Sequence, residues 1–163
     1  MPTPLITTHN LKISQSNKII INNAEFSINR LDRIILVGKN GCGKSSLLRV
    51  LKGIDTPDEG QIWMAPNLKV DLLEQNPPIP NANIVIDFLS EDNNYPNLSK
   101  INFIIEQLGL SNIDLTKKIS GGELRKIYLA QSILNEPDIM LLDEPTNHID
   151  LPTINWLEKK LIE

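Results

Sequence analysis

Residues 38–45 read Gly-Lys-Asn-Gly-Cys-Gly-Lys-Ser, placing three glycines, a lysine and a hydroxyl in one short stretch. The spacing fits G-x-x-x-x-G-K-[ST], a pattern whose chemistry is phosphate binding. Glycines let the chain turn tightly and aim its N–H groups at phosphate oxygens. Lys44 sets a positive charge against β- and γ-phosphates, the Ser45 hydroxyl suits Mg²⁺, and a following helix adds the positive end of its dipole. The candidate phosphate-binding residues are Gly38, Asn40, Gly41, Cys42, Gly43, Lys44, Ser45 and Ser46. Cys42 stands at a free position of the pattern, where a small residue fits. A thiol made reactive by the helix N-terminus is the sharper alternative.

A second constellation is Ile139-Met140-Leu141-Leu142-Asp143-Glu144. Four apolar residues followed by two acids suit a buried strand that delivers carboxylates at its C-terminal end, where open α/β sheets bind ligands. Asp143 is then a metal residue, reaching Mg²⁺ through water opposite Ser45. Glu144 is the candidate general base for an attacking water. Upstream, Ser120-Gly121-Gly122-Glu123 supports two readings. It is a capped helix start, with Ser at the cap and Glu three residues on, or a loop whose hydroxyl and amides face an anion. Five of the eight glycines lie in these two loops, so glycine is concentrated where phosphate would sit.

The elements that must position these groups follow from pattern. Residues 5–13 and 19–28 read as strands around a turn, and 33–37 as a short, almost wholly apolar strand buried on both faces, leading into Gly38. A helix is expected over 45–52 with Gly53 as its stop, then short strands over 61–64 and 68–72. The proline-rich 76–80 reads as a hinge. Helices over 84–89 and 99–108, joined by a polar loop at 91–97, suggest a small helical subdomain over 81–116. That subdomain is inserted between two parts of an α/β core, 1–80 and 117–163. A helix over 122–134, the strand 139–142 and a helix over 153–162 complete the chain.

Composition sets bounds. The 163 residues are 40% apolar and 22% charged, enough for one domain with one sizeable core. Aromatics are only 4%, so that core must be aliphatic. A net charge of −4 and a pI near 5.2 argue against broad nucleic-acid binding. Cys42 is the single cysteine, so no disulfide forms within the chain, in keeping with a cytoplasmic protein. No secretory leader and no apolar run long enough to span a bilayer is read.

With the glycine loop, the Ser-Gly-Gly-Glu loop and the Asp-Glu strand in this order, the chain resembles the ATP-binding modules of ABC ATPases. Gln75, after the strand at 68–72, matches the family's Q-loop glutamine, which contacts Mg²⁺ and the water. Residues 145–150, Pro-Thr-Asn-His-Ile-Asp, resemble the D-loop of the soluble ABC-F class. Residues 72–78, 124–126 and 153–158 look like its Uup-like group. The resemblance implies a P-loop α/β fold with an N-terminal antiparallel part and a mixed or parallel core sheet. It implies ATP and Mg²⁺ as ligands, and catalysis by Glu144, Lys44 and Gln75. The metal residues are Ser45, Gln75 and Asp143. Ser120, Gly121, Gly122 and Glu123 are the signature loop acting on a second module's nucleotide, and Asp150 is the D-loop acid across the pair. A head-to-tail second module and, by class, the ribosome are the implied partners. His148 is read as a loop residue.

The resemblance also has gaps. The family's switch histidine and the last core strands lie beyond residue 163, and no adenine-stacking aromatic stands at 13–17. A truncated sheet exposes an unpaired edge and apolar surface. Two other readings therefore stand beside an ABC-F ATPase: a nucleotide-binding fragment without activity of its own, and the ATPase subunit of a membrane transporter.

Overall fold

The computed structural model describes residues 3–16, 18–91, 97–111 and 113–162, which fall into two compact units. The first comprises residues 1–72 and 137–143, the second residues 73–136 and 144–163. The expected polar loop at 91–97 lies mostly outside the described residues.

In the first unit, β1 (Pro4–Gln15) is the centre of a three-stranded antiparallel sheet. It pairs on one side with β2 (Lys18–Asn29), setting Ile6 against Ile28 and Thr8 against Phe26. On the other side lies β3 (Glu59–Met64), with Ile6 against Met64 and Thr8 against Ile62. Strand side chains alternate between faces, and Ile6 and Thr8 point inward. His9 and Asn10 then break the alternation with a bulge, Asn10 taking φ +50°. The extra residue brings Leu11 and Ile13 back to the same buried face. Thr8 satisfies its buried hydroxyl on the β2 backbone, accepting from Phe26 N at 3.1 Å and donating to Ala24 O at 3.3 Å.

A second, two-stranded parallel sheet pairs β4 (Val70–Leu73) with β5 (Ile139–Leu142). Helix α1 (Lys44–Lys52) packs on β5. Its spacing places Leu47, Val50 and Leu51 in one core with Ile6, Leu11, Ile13, Ile139 and Leu141. Each such side chain contributes about 1.5–3 kcal/mol of burial. Gly53, at φ +82°, ends the helix by returning its N–H to Val50 O, as expected of a glycine stop.

The strand expected at 33–37 does not form. Residues 32–39 have no regular structure, and Ile34, Ile35, Leu36 and Val37 are 62%, 86%, 42% and 87% exposed. A strand exists only when neighbours take its N–H and C=O groups. Among the described residues, β4 and β5 pair only with each other and no strand pairs with this run. The apolar text is a strand's text without its partners.

The second unit is helical: α2 (Val85–Glu91), α3 (Leu98–Gln107), α4 (Gly121–Leu134) and α5 (Leu151–Ile162). The first three pack together through Val85, Leu89, Ile101, Ile104, Ile127 and Leu129. Phe88 meets Tyr128 edge to face at 5.4 Å, and burial raises the Tyr128 hydroxyl's pKa. The helices expected at 84–89, 99–108, 122–134 and 153–162 therefore form with shifted ends. The last starts earlier because Asp150 caps it, accepting from Thr153 N at 2.9 Å.

Candidate functional site

The first unit carries the glycine loop. Gly41 and Gly43 take φ +75° and +99°, backbone that L side chains rarely adopt. A Cβ at Gly43 would also fall 2.8 Å from Ile20 Cδ1, so both conformation and space require glycine there. Gly43 is the N-cap of α1. It offers no side-chain acceptor, and the first turn holds no acid. The first-turn N–H groups of α1 therefore have no capping side chain. Lys44 Nζ folds back over the loop and donates to Gly38 O at 3.0 Å and Lys39 O at 3.2 Å. Asn40 and Gly41 sit in the exposed turn, and Cys42 is an exposed free thiol. Ser45 and Ser46 follow Lys44 in the first turn of α1.

Asp143 closes this unit, one residue beyond β5. It is 7% exposed, and its carboxylate has no hydrogen-bond partner among the described residues. With no buried side-chain oxygen left unsatisfied among the described residues, the Asp143 oxygens keep access to solvent and are open to a cation or water. Uncapped amides, a lysine held only by exposed loop carbonyls and an unpaired acid in one unit fit a polyanion bound with a hard cation.

The second unit gathers the remaining candidates. Glu144 stands at φ +48°, in the left-handed region where a side chain of its kind is strained. Its Oε2 accepts from Gln75 Nε2 at 2.8 Å and from Asn147 Nδ2 at 2.6 Å. The backbone beneath is held by Arg125, which is 2% exposed. Arg125 Nη1 donates to Glu144 O at 2.6 Å and to Asn147 O at 3.1 Å, and Nη2 donates to Gln75 O.

Ser120 caps α4 in a closed box. Its Oγ accepts from Glu123 N at 3.2 Å, and Glu123 Oε2 accepts from Ser120 N at 2.8 Å. The Ser120 hydroxyl donates to the same carboxylate at 2.6 Å. These bonds to Ser120 hold the Glu123 carboxyl below its ordinary value. The capping reading is thus realised, and an incoming phosphate would compete with Glu123 for the Ser120 proton. A Cβ on Gly122 would meet His148 O at 2.5 Å, so this glycine is required by a neighbouring carbonyl; Gly121 has open space. His148 lies in the loop at φ +63°. Asp150 is bound within its own unit by Lys126 and Thr153, and the Lys126 ammonium is the main reason its carboxyl lies well below the usual carboxylate range.

Arg125 and Asn147 were missed as site residues. The signal for Arg125 was present, since Arg125, Leu129 and Ser132 share one α4 face at helical spacing and all are buried. A charge on an apolar face requires dedicated partners. Asn147 had no comparable signal.

The chain is 44% identical over 164 residues to the ATP-binding protein Uup of Buchnera aphidicola subsp. Acyrthosiphon pisum, covering 94% of this chain and 27% of that protein. It spans about a quarter of that relative's length. It is 32% identical to the zinc import ATP-binding protein ZnuC of Rickettsia conorii, covering 99% of this chain and 74% of that one. The ATP-binding subunit of an ABC transporter superposes with a TM-score of 0.78 at 18% identity, covering 96% and 73% of the two chains, which bears on fold alone. The P-loop α/β fold and the Uup-like resemblance are borne out by these likenesses. The family model described as ABC transporter matches residues 21–147, well over half of the chain, with the glycine loop, Ser120–Glu123 and the Asp143-Glu144 pair inside it, and the chain belongs to that family.

Proposed function

We propose that the chain is an ATP-binding and Mg²⁺-dependent ATP-hydrolysing module of the ABC-F type, acting in the cytoplasm opposite a second such module. The observation that carries it is the glycine loop: left-handed glycines, an α1 N-terminus without a capping side chain, and Lys44 resting on the loop's own carbonyls. Gly38 to Ser46 hold the phosphates, with Lys44 turning from Gly38 O and Lys39 O to the β- and γ-oxygens. Ser45 and Asp143 hold Mg²⁺, which supplies charge neutralisation on the phosphates. Glu144 takes the proton of the attacking water, and Gln75 orients that water. Ser120 to Glu123 and Asp150 face the partner module's nucleotide, and the ribosome is the partner the ABC-F class suggests.

The 44% identity to a Uup protein supports the soluble reading. The test is ATP turnover by the purified chain beside Glu144→Gln. Removing the base is expected to lower turnover about 100-fold or more while ATP stays bound. Equal turnover in the two proteins would sink the assignment.

Two observations favour other readings. The exposed run Ile34–Val37 favours a nucleotide-binding fragment that needs strands from elsewhere before it can turn over. ATP binding without turnover by this chain, with turnover restored by a co-expressed downstream segment of a Uup relative, selects that reading. The likeness to ZnuC favours a transporter's ATPase subunit, which co-purification with a membrane protein selects. No helix among the described residues is long and apolar enough to cross a membrane.

A further inference from the structure

Three side chains meet at one oxygen in the second unit. Gln75 and Asn147 both donate to Glu144 Oε2, and the backbone carbonyls of these same three residues, Gln75, Glu144 and Asn147, are the three acceptors of Arg125. We propose that Arg125 is the positioning residue for Glu144, gripping the main chain of the whole trio so that the carboxylate and its two amide donors keep one geometry.

The chemistry of the grip is specific. Arg125 is almost wholly buried, and no carboxylate among the described residues pairs with it. A buried guanidinium without a counter-ion is expensive unless carbonyl dipoles surround it. Its planar fork sends donors in fixed directions, so three carbonyls from two loops must come to it. Gln75 lies beyond β4, while Glu144 and Asn147 belong to the loop before α5. These carbonyls lie outside the strands; Glu144 O also accepts from Asn147 N at 3.1 Å, and Arg125 adds its donors to all three. Glu144 needs such support because its φ of +48° is unfavourable for a residue with a Cβ. The guanidinium bond to Glu144 O, at 2.6 Å, acts at that strained residue itself.

The position of Arg125 adds a consequence. It stands in the second turn of α4, five residues after the Ser120 cap. Arg125 therefore ties the first turns of α4 directly to the Glu144 backbone. The proposal rests on the reading of Glu144 as the base only for its catalytic half; the grip itself does not depend on hydrolysis.

The test compares the full 163-residue chain with Arg125→Lys and Arg125→Met by amide hydrogen exchange, by ATP titration and by single-turnover ATP cleavage. Lysine keeps the charge but cannot reach three carbonyls at once, so it is the decisive variant if Arg125→Met fails to fold. In Arg125→Lys, exchange at 74–76 and 144–148 is expected to quicken about tenfold, with α1 and β1–β3 unchanged. The ATP dissociation constant should move less than about twofold, while cleavage slows by roughly tenfold or more. Unchanged exchange at 144–148 in folded Arg125→Lys overturns the proposal, as does faster exchange spread evenly over the chain. Unchanged cleavage overturns the catalytic half. If the wild-type chain cleaves no ATP, the hydrolase reading fails by itself, and the exchange data still decide whether Arg125 holds the trio.

Discussion

The glycine loop and the α4–Glu144 region differ in how they satisfy their own groups. Residues 31–41 are all exposed, and the loop's described polar contacts are few: Lys44 on two carbonyls and Cys42 N on Lys39 O. The α4 region is closed by its own atoms. Ser120 and Glu123 cap each other, Arg125 holds three carbonyls, two amides hold Glu144, and Lys126 and Thr153 hold Asp150. Both regions hold chemistry-bearing residues, but one is open to external partners and the other is fixed from within. Motif membership alone therefore does not fix a residue's role. In the first region glycine serves conformation, while in the second Gly122 serves a neighbouring carbonyl.

The sharpest way to separate the regions is Lys44→Ala. The ammonium bonds only to exposed loop carbonyls, so ATP affinity should fall about 100-fold, or ~3 kcal/mol, with the melting temperature unchanged. Equilibrium dialysis and calorimetry read the two quantities, and a large loss of stability would break the comparison. Gly122→Ala should do the reverse. Its Cβ would lie 2.5 Å from His148 O, and the clash is expected to cost about 1–3 kcal/mol, read as a lower denaturation midpoint.

Asp150→Ala removes the α5 cap and should cost ~1 kcal/mol. The same carboxyl gives a pH dependence. Its folded pKa is depressed, so its stabilisation is present above its ordinary value of 3.8 and is lost as pH falls below that value. Acid titration of stability should therefore be shallower in Lys126→Met than in the parent, and identical acid limbs would argue against the pair. The smallest effect is expected from Ile35→Lys. With that side chain 86% exposed, stability should stay within about 0.5 kcal/mol while solubility rises. A large loss would mean that Ile35 is packed in solution.

Much of the fold was legible in the chain. Strand-forming runs around a turn gave β1 and β2, and helical spacing with a glycine stop gave α1. The apolar run before Asp143 gave β5 with its ends as read. The bulge at His9–Asn10 was not legible, because a one-residue slip in alternation has the same text as a turn. The run 33–37 was misread for a different reason. Apolar, β-branched text specifies a preference for burial between neighbours, and only pairing makes it a strand.

The candidate site divides in the same way. Local spacing was enough for the glycine loop and the Asp-Glu pair, each set within a few residues, but it left Ser120–Glu123 open between a cap and an anion-facing loop, and the closed box came from the fold. Only the tertiary structure decided that Gln75, Arg125 and Asn147 converge on Glu144. Asn147 is only three positions from Glu144, but the Gln75 contact spans 69 positions and the Arg125 bonds to Glu144 and Gln75 span 19 and 50. The closure of those loops depends on which carbonyls a single buried guanidinium can reach, a matter of three-dimensional distance that residue order does not encode locally.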